Sequence, residues 1–277
     1  MKPSAKCLNC EAPLTGSYCS QCGQKPASTR PTVGHFFSET VESLTHADSR
    51  LWKTLWLLLS KPGFLTREFF EGKRSRYLPP IRLYIVLSVA FFLSLAIIPS
   101  GDPASEGFSG IQMDSGCADI EYTGPFPDFM TQKLQEACSR LQQGDGARAF
   151  SDAFLMNLPK AMWVLLPVFA LLMLVFWWKP RRLYAEHVLF LIHNHSAIFA
   201  ALMIFSLAEW LVPEVVSGWL LLGLVIYLLW YSWRGMRVFY SDSRNLAIFK
   251  FVSLGFLYFF SVSMILVLTG VTAVLMF

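Results

Sequence analysis

Charge is what this chain has least of: Lys, Arg, Asp and Glu make up 15% of its 277 residues, where soluble proteins carry about 25%. The shortage excludes an ordinary soluble domain. A formal net charge of +4, scattered along the chain, excludes the concentrated basic surface that nucleic acid requires. The sequence also lacks a P-loop, a dinucleotide fingerprint, a nucleophile elbow and paired catalytic carboxylates. No catalytic residue is therefore nominated, and nothing in the motifs argues for an enzyme. Residues 1–14 contain lysines but no apolar core of a signal peptide, so the amino terminus is expected to be retained.

What the chain has instead is 54% hydrophobic residues, gathered into long blocks. Blocks of this length are what a bilayer demands and a soluble core does not. The expected fold class is an all-α polytopic membrane protein with about five transmembrane helices, at 81–98, 158–178, 188–207, 215–233 and 248–275, and a small N-terminal zinc-ribbon-like head. The expected organisation is a head at 1–25, a linker at 26–32, interfacial helices and an entry stretch at 33–80, the first span, an outer loop at 99–157, and the remaining spans to 277.

The head holds Cys7, Cys10, Cys19 and Cys22, two C-x2-C pairs separated by eight residues. Each pair directs two sulfurs toward one point, and four thiolates suit a tetrahedral, structural Zn2+. So short a segment cannot bury a useful core, and metal binding supplies about 10–16 kcal/mol in comparable peptides. The alternative is two disulfides, which the paired spacing and the lack of a signal peptide disfavour. The linker, with Pro26 and Pro31 among small polar residues, predicts a loose tether.

From residue 33 to 60 apolar residues recur at helical spacing, with Trp52 and Trp56 on one face, and the run at 51–59 is too short to span. An amphipathic helix on or under the membrane is expected, ended by Lys61-Pro62-Gly63, with a second short helix at 64–72. Lys61, Arg67, Lys73, Arg74 and Arg76 precede the first span, Lys179, Arg181 and Arg182 follow the second, and Arg234, Arg237 and Arg244 follow the fourth. The opposite loops hold only Lys133, Arg140 and Arg148. The positive-inside rule then places the amino terminus in the cytoplasm and the carboxyl terminus outside. Cys117 and Cys138 would lie outside, where a disulfide persists; two unrelated thiols are the alternative.

Ionisable groups within a span suggest function by default. On a helical projection of the third span Glu186, His193 and Asn194 share an arc with Ala197, Ala200 and Ala201, His187 lies at its edge, and His195 points nearly opposite. Interhelical packing is the first reading of this face, and an intramembrane polar site the second. The cluster Lys73, Arg74, Arg76 and Arg82 is at least a topology determinant. It also offers contacts to anionic lipid.

The four cysteines with Cys22-Gly23-Gln24, then Lys61-Pro62-Gly63, and above all the run from Gly72-Lys73-Arg74-Ser75-Arg76 through Tyr77-Leu78-Pro79-Pro80 to Arg82-Leu83-Tyr84, resemble a bacterial domain-of-unknown-function family, number three-six-six-seven. The similarity is strongest from Asp48 to Phe92, and Glu186, His187 and His193 resemble the third span of the same proteins. The resemblance implies a bacterial inner-membrane protein with a zinc-ribbon head, and it brings no catalytic residues. The expectation is a docking or regulatory membrane protein with a partner at the cytoplasmic head and lipid around the spans. The alternative is a transporter or membrane enzyme using the polar face of span three.

Overall fold

The computed structural model describes residues 6–14, 16–25, 50–97, 117–124, 126–141, 146–178 and 182–276. The expected linker, the segment 33–49 and residues 99–116 of the outer loop lie outside them. The described residues form eight α-helices: α1 Arg50–Ser60, α2 Phe64–Phe70, α3 Pro80–Ile97, α4 Pro127–Leu141, α5 Gly146–Phe176, α6 Tyr184–Glu209, α7 Glu214–Tyr240 and α8 Arg244–Met276. Among the described residues there is no β-strand, only one antiparallel bridge between Lys6 and Pro13. The protein is all-α with a cysteine cluster near its amino terminus.

Among the described residues four helices are long and apolar enough to cross a membrane: α6, and the stretches Met156–Phe176 of α5, Val215–Tyr240 of α7 and Arg244–Thr272 of α8. The expected first span is a shorter apolar helix, Pro80–Leu95. At 1.5 Å per residue, the 18 residues of α3 rise about 27 Å, just under a hydrocarbon core of about 30 Å. The second expected span is the latter part of a 31-residue helix that begins at Gly146 and contains Pro159 and Pro167. Hydroxyls on the apolar helices are satisfied internally, as a lipid environment requires: Ser196 donates to Ile192 O, Ser206 to Leu202 O, Ser261 to Leu257 O and Thr269 to Ile265 O.

The chain forms two compact units, 1–94 with 170–255, and 95–169 with 256–277. In the second, a disulfide joins Cys117 to Cys138, with Cα atoms 5.6 Å apart. Gln135 donates to Ile120 O and the Tyr122 N–H to Thr131 Oγ1, so the bridge is backed by α4. Phe169 meets Tyr258 edge to face at 5.1 Å.

In the first unit α6 is the central element. Leu189, Phe190, Leu191 and Ile192 are all buried in sequence, so no single face of this helix points inward. Phe199 is ringed by Tyr84, Phe91 and Phe92 of α3. Phe190 stacks on Phe239 of α7, and His193 meets Thr66 of α2. This corrects the one-sided projection: His195, expected to point away, is buried as well, with Nδ1 2.9 Å from Leu191 O.

The entry stretch has a local logic. Pro80 opens α3 at the position where a missing N–H costs nothing, and Pro79 O accepts the Leu83 N–H. Lys61-Pro62-Gly63 turns the chain between α1 and α2, with Gly63 at φ +74°. The Thr54 hydroxyl donates to Arg50 O within α1 and accepts the Leu78 N–H, which ties α1 to the start of α3.

Candidate metal centre and its seat

The head is two copies of one backbone turn. In the first, Cys7 N–H donates to Ala12 O and Glu11 N–H to Cys7 O; in the second, Cys19 N–H donates to Gln24 O and Gly23 N–H to Cys19 O. The residue four after each leading cysteine takes positive φ, Glu11 at 62° and Gly23 at 70°. Gly23 adopts this at no steric cost and Glu11 does not.

The paired turns bring Cys7, Cys10, Cys19 and Cys22 together, their sulfurs all within 4.8 Å of one another. Cys7 and Cys22 sulfurs are 3.7 Å apart, and Cys10 and Cys19 sulfurs 3.5 Å. Metal–sulfur bonds of about 2.3 Å in a tetrahedron put sulfurs about 3.8 Å apart. The four cysteines thus have the geometry to hold a metal ion, and with four protein ligands the coordination sphere is closed. Backbone hydrogen bonds at Cys22 and Gln21 hold the Cys19 thiol down at about 6. Cys10 is pushed up to about 12: a backbone hydrogen bond at Ala12 pulls it down, but burial and the sulfurs of Cys19, Cys22 and Cys7 outweigh it. At Cys22 desolvation is overcome by hydrogen bonds from the Asn9 side chain and the Gln24 backbone, and its pKa falls.

The head is seated on the entry stretch; the linker expected to tether it loosely lies outside the described residues. The buried Gln24 side chain donates to Gly72 O at 2.6 Å and accepts the N–H groups of Arg74 and Ser75 at 3.2 and 3.1 Å. Arg76 donates to Asn9 O. Leu8 lies over Gly72, where a Cβ would stand 2.6 Å from its Cδ1.

The seat itself is braced from below. Lys73 Nζ is 2.7 Å from carboxylate oxygens of both Glu68 and Glu71. The Glu68 hydrogen bond holds the Lys73 pKa up, and Lys73 in turn holds Glu71 down. Tyr77 donates to Glu68 at 3.3 Å, and burial pushes its phenol up. Arg74 donates to Phe69 O and lies over the Phe69 ring at 4.5 Å. Three of the four residues nominated for anionic lipid, Lys73, Arg74 and Arg76, therefore serve intramolecular contacts. The fourth, half-exposed Arg82, lies in the first turn of α3.

A family model described as a protein of unknown function (DUF3667) matches residues 48–92. No curated protein and no solved structure matches the chain. The matched segment comprises α1, α2, the seat and most of α3, and the four cysteines stand outside it. Its residues make the contacts that join the head to the membrane helices: Gln24 binds its Gly72, Arg74 and Ser75, and its Thr66 pairs with His193.

The structure does not gather the polar residues of α6 into one site. Arg182 pairs with Glu186 at 3.3 Å, His187 Nδ1 lies 2.7 Å from Tyr240 Oη, and His193 Nδ1 lies 3.1 Å from Thr66 Oγ1. His187 Nε2 and Asn194 Oδ1 are buried without a hydrogen-bond partner among the described residues.

Beside His187 is a cluster that sequence reasoning missed. Trp177 stacks on Tyr240 at 3.9 Å and donates to Asp242, which also pairs with Lys250 at 2.9 Å, while Lys250 lies over the Trp177 ring at 4.4 Å. It ties the end of α5, the starts of α6 and α8 and the end of α7. Lys250, a lone cation inside an apolar run, was the available signal.

Proposed function

We propose that this is a bacterial inner-membrane docking protein whose cytoplasmic head, closed around a structural Zn2+, presents a rigid surface to a protein partner. The basic residues beside the apolar helices support a cytoplasmic amino terminus and an outer carboxyl terminus. The disulfide between Cys117 and Cys138 is in keeping with an oxidising outer side. The bond lengths of zinc and its preference for four thiolates suit the sulfur spacing. The observation that carries the reading is the seat: Gln24, Arg76 and Leu8 fix the closed head to the matched segment. A closed four-thiolate centre has no open position for a substrate, so its use is structural, and a fixed module suits recognition. Leu8 and Tyr18 are exposed on it.

Crosslinking and mass spectrometry on intact membranes test this. Wild type should give crosslinks from Lys6 or Lys25 to one partner. Cys19→Ser, which opens the centre, and Tyr18→Ser, which leaves it intact, should both lose them. Crosslinks that survive in both variants, or none in wild type, overturn docking.

One observation favours a second reading, in which α6 carries a site for a small or lipid-like molecule: His187 Nε2 and Asn194 Oδ1 are buried with no partner among the described residues. Under it, Asn194→Leu abolishes the cellular phenotype of the gene with the fold intact, whereas docking leaves the phenotype in place.

A further inference from the structure

Among the described residues, helix α1 is packed on one side only. Thr54 and Leu58, four residues apart, are buried against the protein, while Trp52 and Trp56, also four apart, are 78% and 73% exposed. Two neighbouring indoles left in water forgo a large hydrophobic gain, and tryptophan is the residue that gathers where hydrocarbon meets lipid headgroups. The helix carries Arg50 and Lys53 and no acidic residue, and Lys61 follows it. Lys53 and Lys61 are both exposed, with their ammonium groups over the rings of Tyr77 and Phe64 at 5.6 and 5.5 Å.

The depth of α1 is set by α7. The last carbonyls of a helix have no partner within it, and here Leu58 O and Leu59 O accept the hydroxyls of Tyr231 and Tyr227 at 2.5 and 2.8 Å. Tyr231 stands three residues before Arg234, about 4.5 Å along the axis. The outward face of α7 up to that point is Val215, Trp219, Leu222, Ile226, Leu229 and Trp230, all exposed. An exposed run of that kind is covered by acyl chains in a membrane protein, and it ends where the arginines begin. The end of α1 is therefore fixed at the level where acyl chains give way to headgroups.

We infer that α1 lies in the headgroup layer of the bilayer, with Trp52 and Trp56 inserted at the acyl boundary and Lys53 and Lys61 facing the phosphates of anionic lipid. This rests on the membrane reading above. A water-facing partner would not need the depth that Tyr227 and Tyr231 impose, and a helix whose charges are all basic and which exposes two indoles is complementary to an anionic lipid surface.

The test uses the full chain in nanodiscs of phosphatidylglycerol and phosphatidylcholine, as wild type and as the double variant Trp52→Phe, Trp56→Phe, which keeps both positions apolar. The wild-type minus variant fluorescence isolates these two indoles. Lipids brominated near the headgroup end of the acyl chain should remove most of this difference emission, and aqueous iodide little of it. Quenching by iodide and not by bromolipid overturns the inference, since the indoles then face water. Quenching by neither also overturns it, because protein, such as a second copy, then covers them. Failure of the chain to enter nanodiscs overturns the membrane reading itself, which separates the two failures.

Discussion

Gly63 and Gly235 meet backbone to backbone: a Cβ on Gly63 would stand 2.5 Å from the Gly235 carbonyl oxygen, and Gly63 already holds φ at +74°. The Lys61-Pro62-Gly63 turn is thereby pressed against α7, close to the tyrosines that cap α1. Both causes point the same way, one steric and one conformational.

Gly63→Ala should lower stability by about 1–3 kcal/mol from the left-handed backbone alone, with the collision adding to it. Gly235→Ala should cost less, since its Cβ meets the Gly63 nitrogen at 3.4 Å. Thermal unfolding in detergent checks the order, and equal melting of the two variants would contradict the close approach.

The seat of the head predicts a second effect. Gln24→Ala removes the acceptor of the Arg74 and Ser75 N–H groups and the donor to Gly72 O. Each buried group left unpaired costs about 1–3 kcal/mol. Hydrogen exchange of the amides at residues 74 and 75 should accelerate at least tenfold, a factor that corresponds to about 1.4 kcal/mol, while the metal content stays unchanged. Unaltered exchange would show that the head does not rest there.

Asp242 neutralises a lysine that is almost wholly inside, since side-chain exposure is 6% for Lys250 and 9% for Asp242. Removing one partner of a buried pair costs about 3–5 kcal/mol. Asp242→Ala should therefore unfold at markedly lower temperature, and the added change Lys250→Met should recover much of the loss. A double variant no better than the single one would contradict the pairing.

The cysteine centre predicts a proton count. Cys19, lowered to about 6, is already a thiolate at neutral pH, whereas Cys10, raised to about 12, is a thiol. Metal binding at pH 7 must displace the Cys10 proton, so zinc added to the metal-free full chain should acidify a weakly buffered solution. A lowered folded pKa stabilises the thiolate above it and loses that stabilisation as pH falls through it. Protons and metal compete for the same four sulfurs, so zinc retention should fall as the pH is lowered. Calorimetry in buffers of differing ionisation heat reads the released protons, and a heat independent of buffer would contradict the assignment.

Much of this was legible in sequence where the signal is local. The cysteine spacing announced the cluster because each C-x2-C pair sets its own geometry, and the apolar blocks announced the helices. What escaped notice depends on distant partners. Arg76 reaches Asn9 across 67 residues and Gln24 reaches Gly72 across 48, so a basic run that reads as a lipid contact is largely taken up inside the molecule. A helical wheel cannot show that α6 is enclosed on several sides, so that His195, opposite the polar arc, is buried as well. Helices α4 and α5 begin at Pro127 and Gly146, where polar and apolar residues mix without a clear period to mark a start.

The most direct test is the metal content of the purified full-length protein, measured by mass spectrometry of the elements beside Cys19→Ser. The four-thiolate centre predicts about one zinc per chain in wild type and little in the variant. Near-zero zinc in wild type, or equal zinc in both, would contradict the account of the head on which the docking function rests.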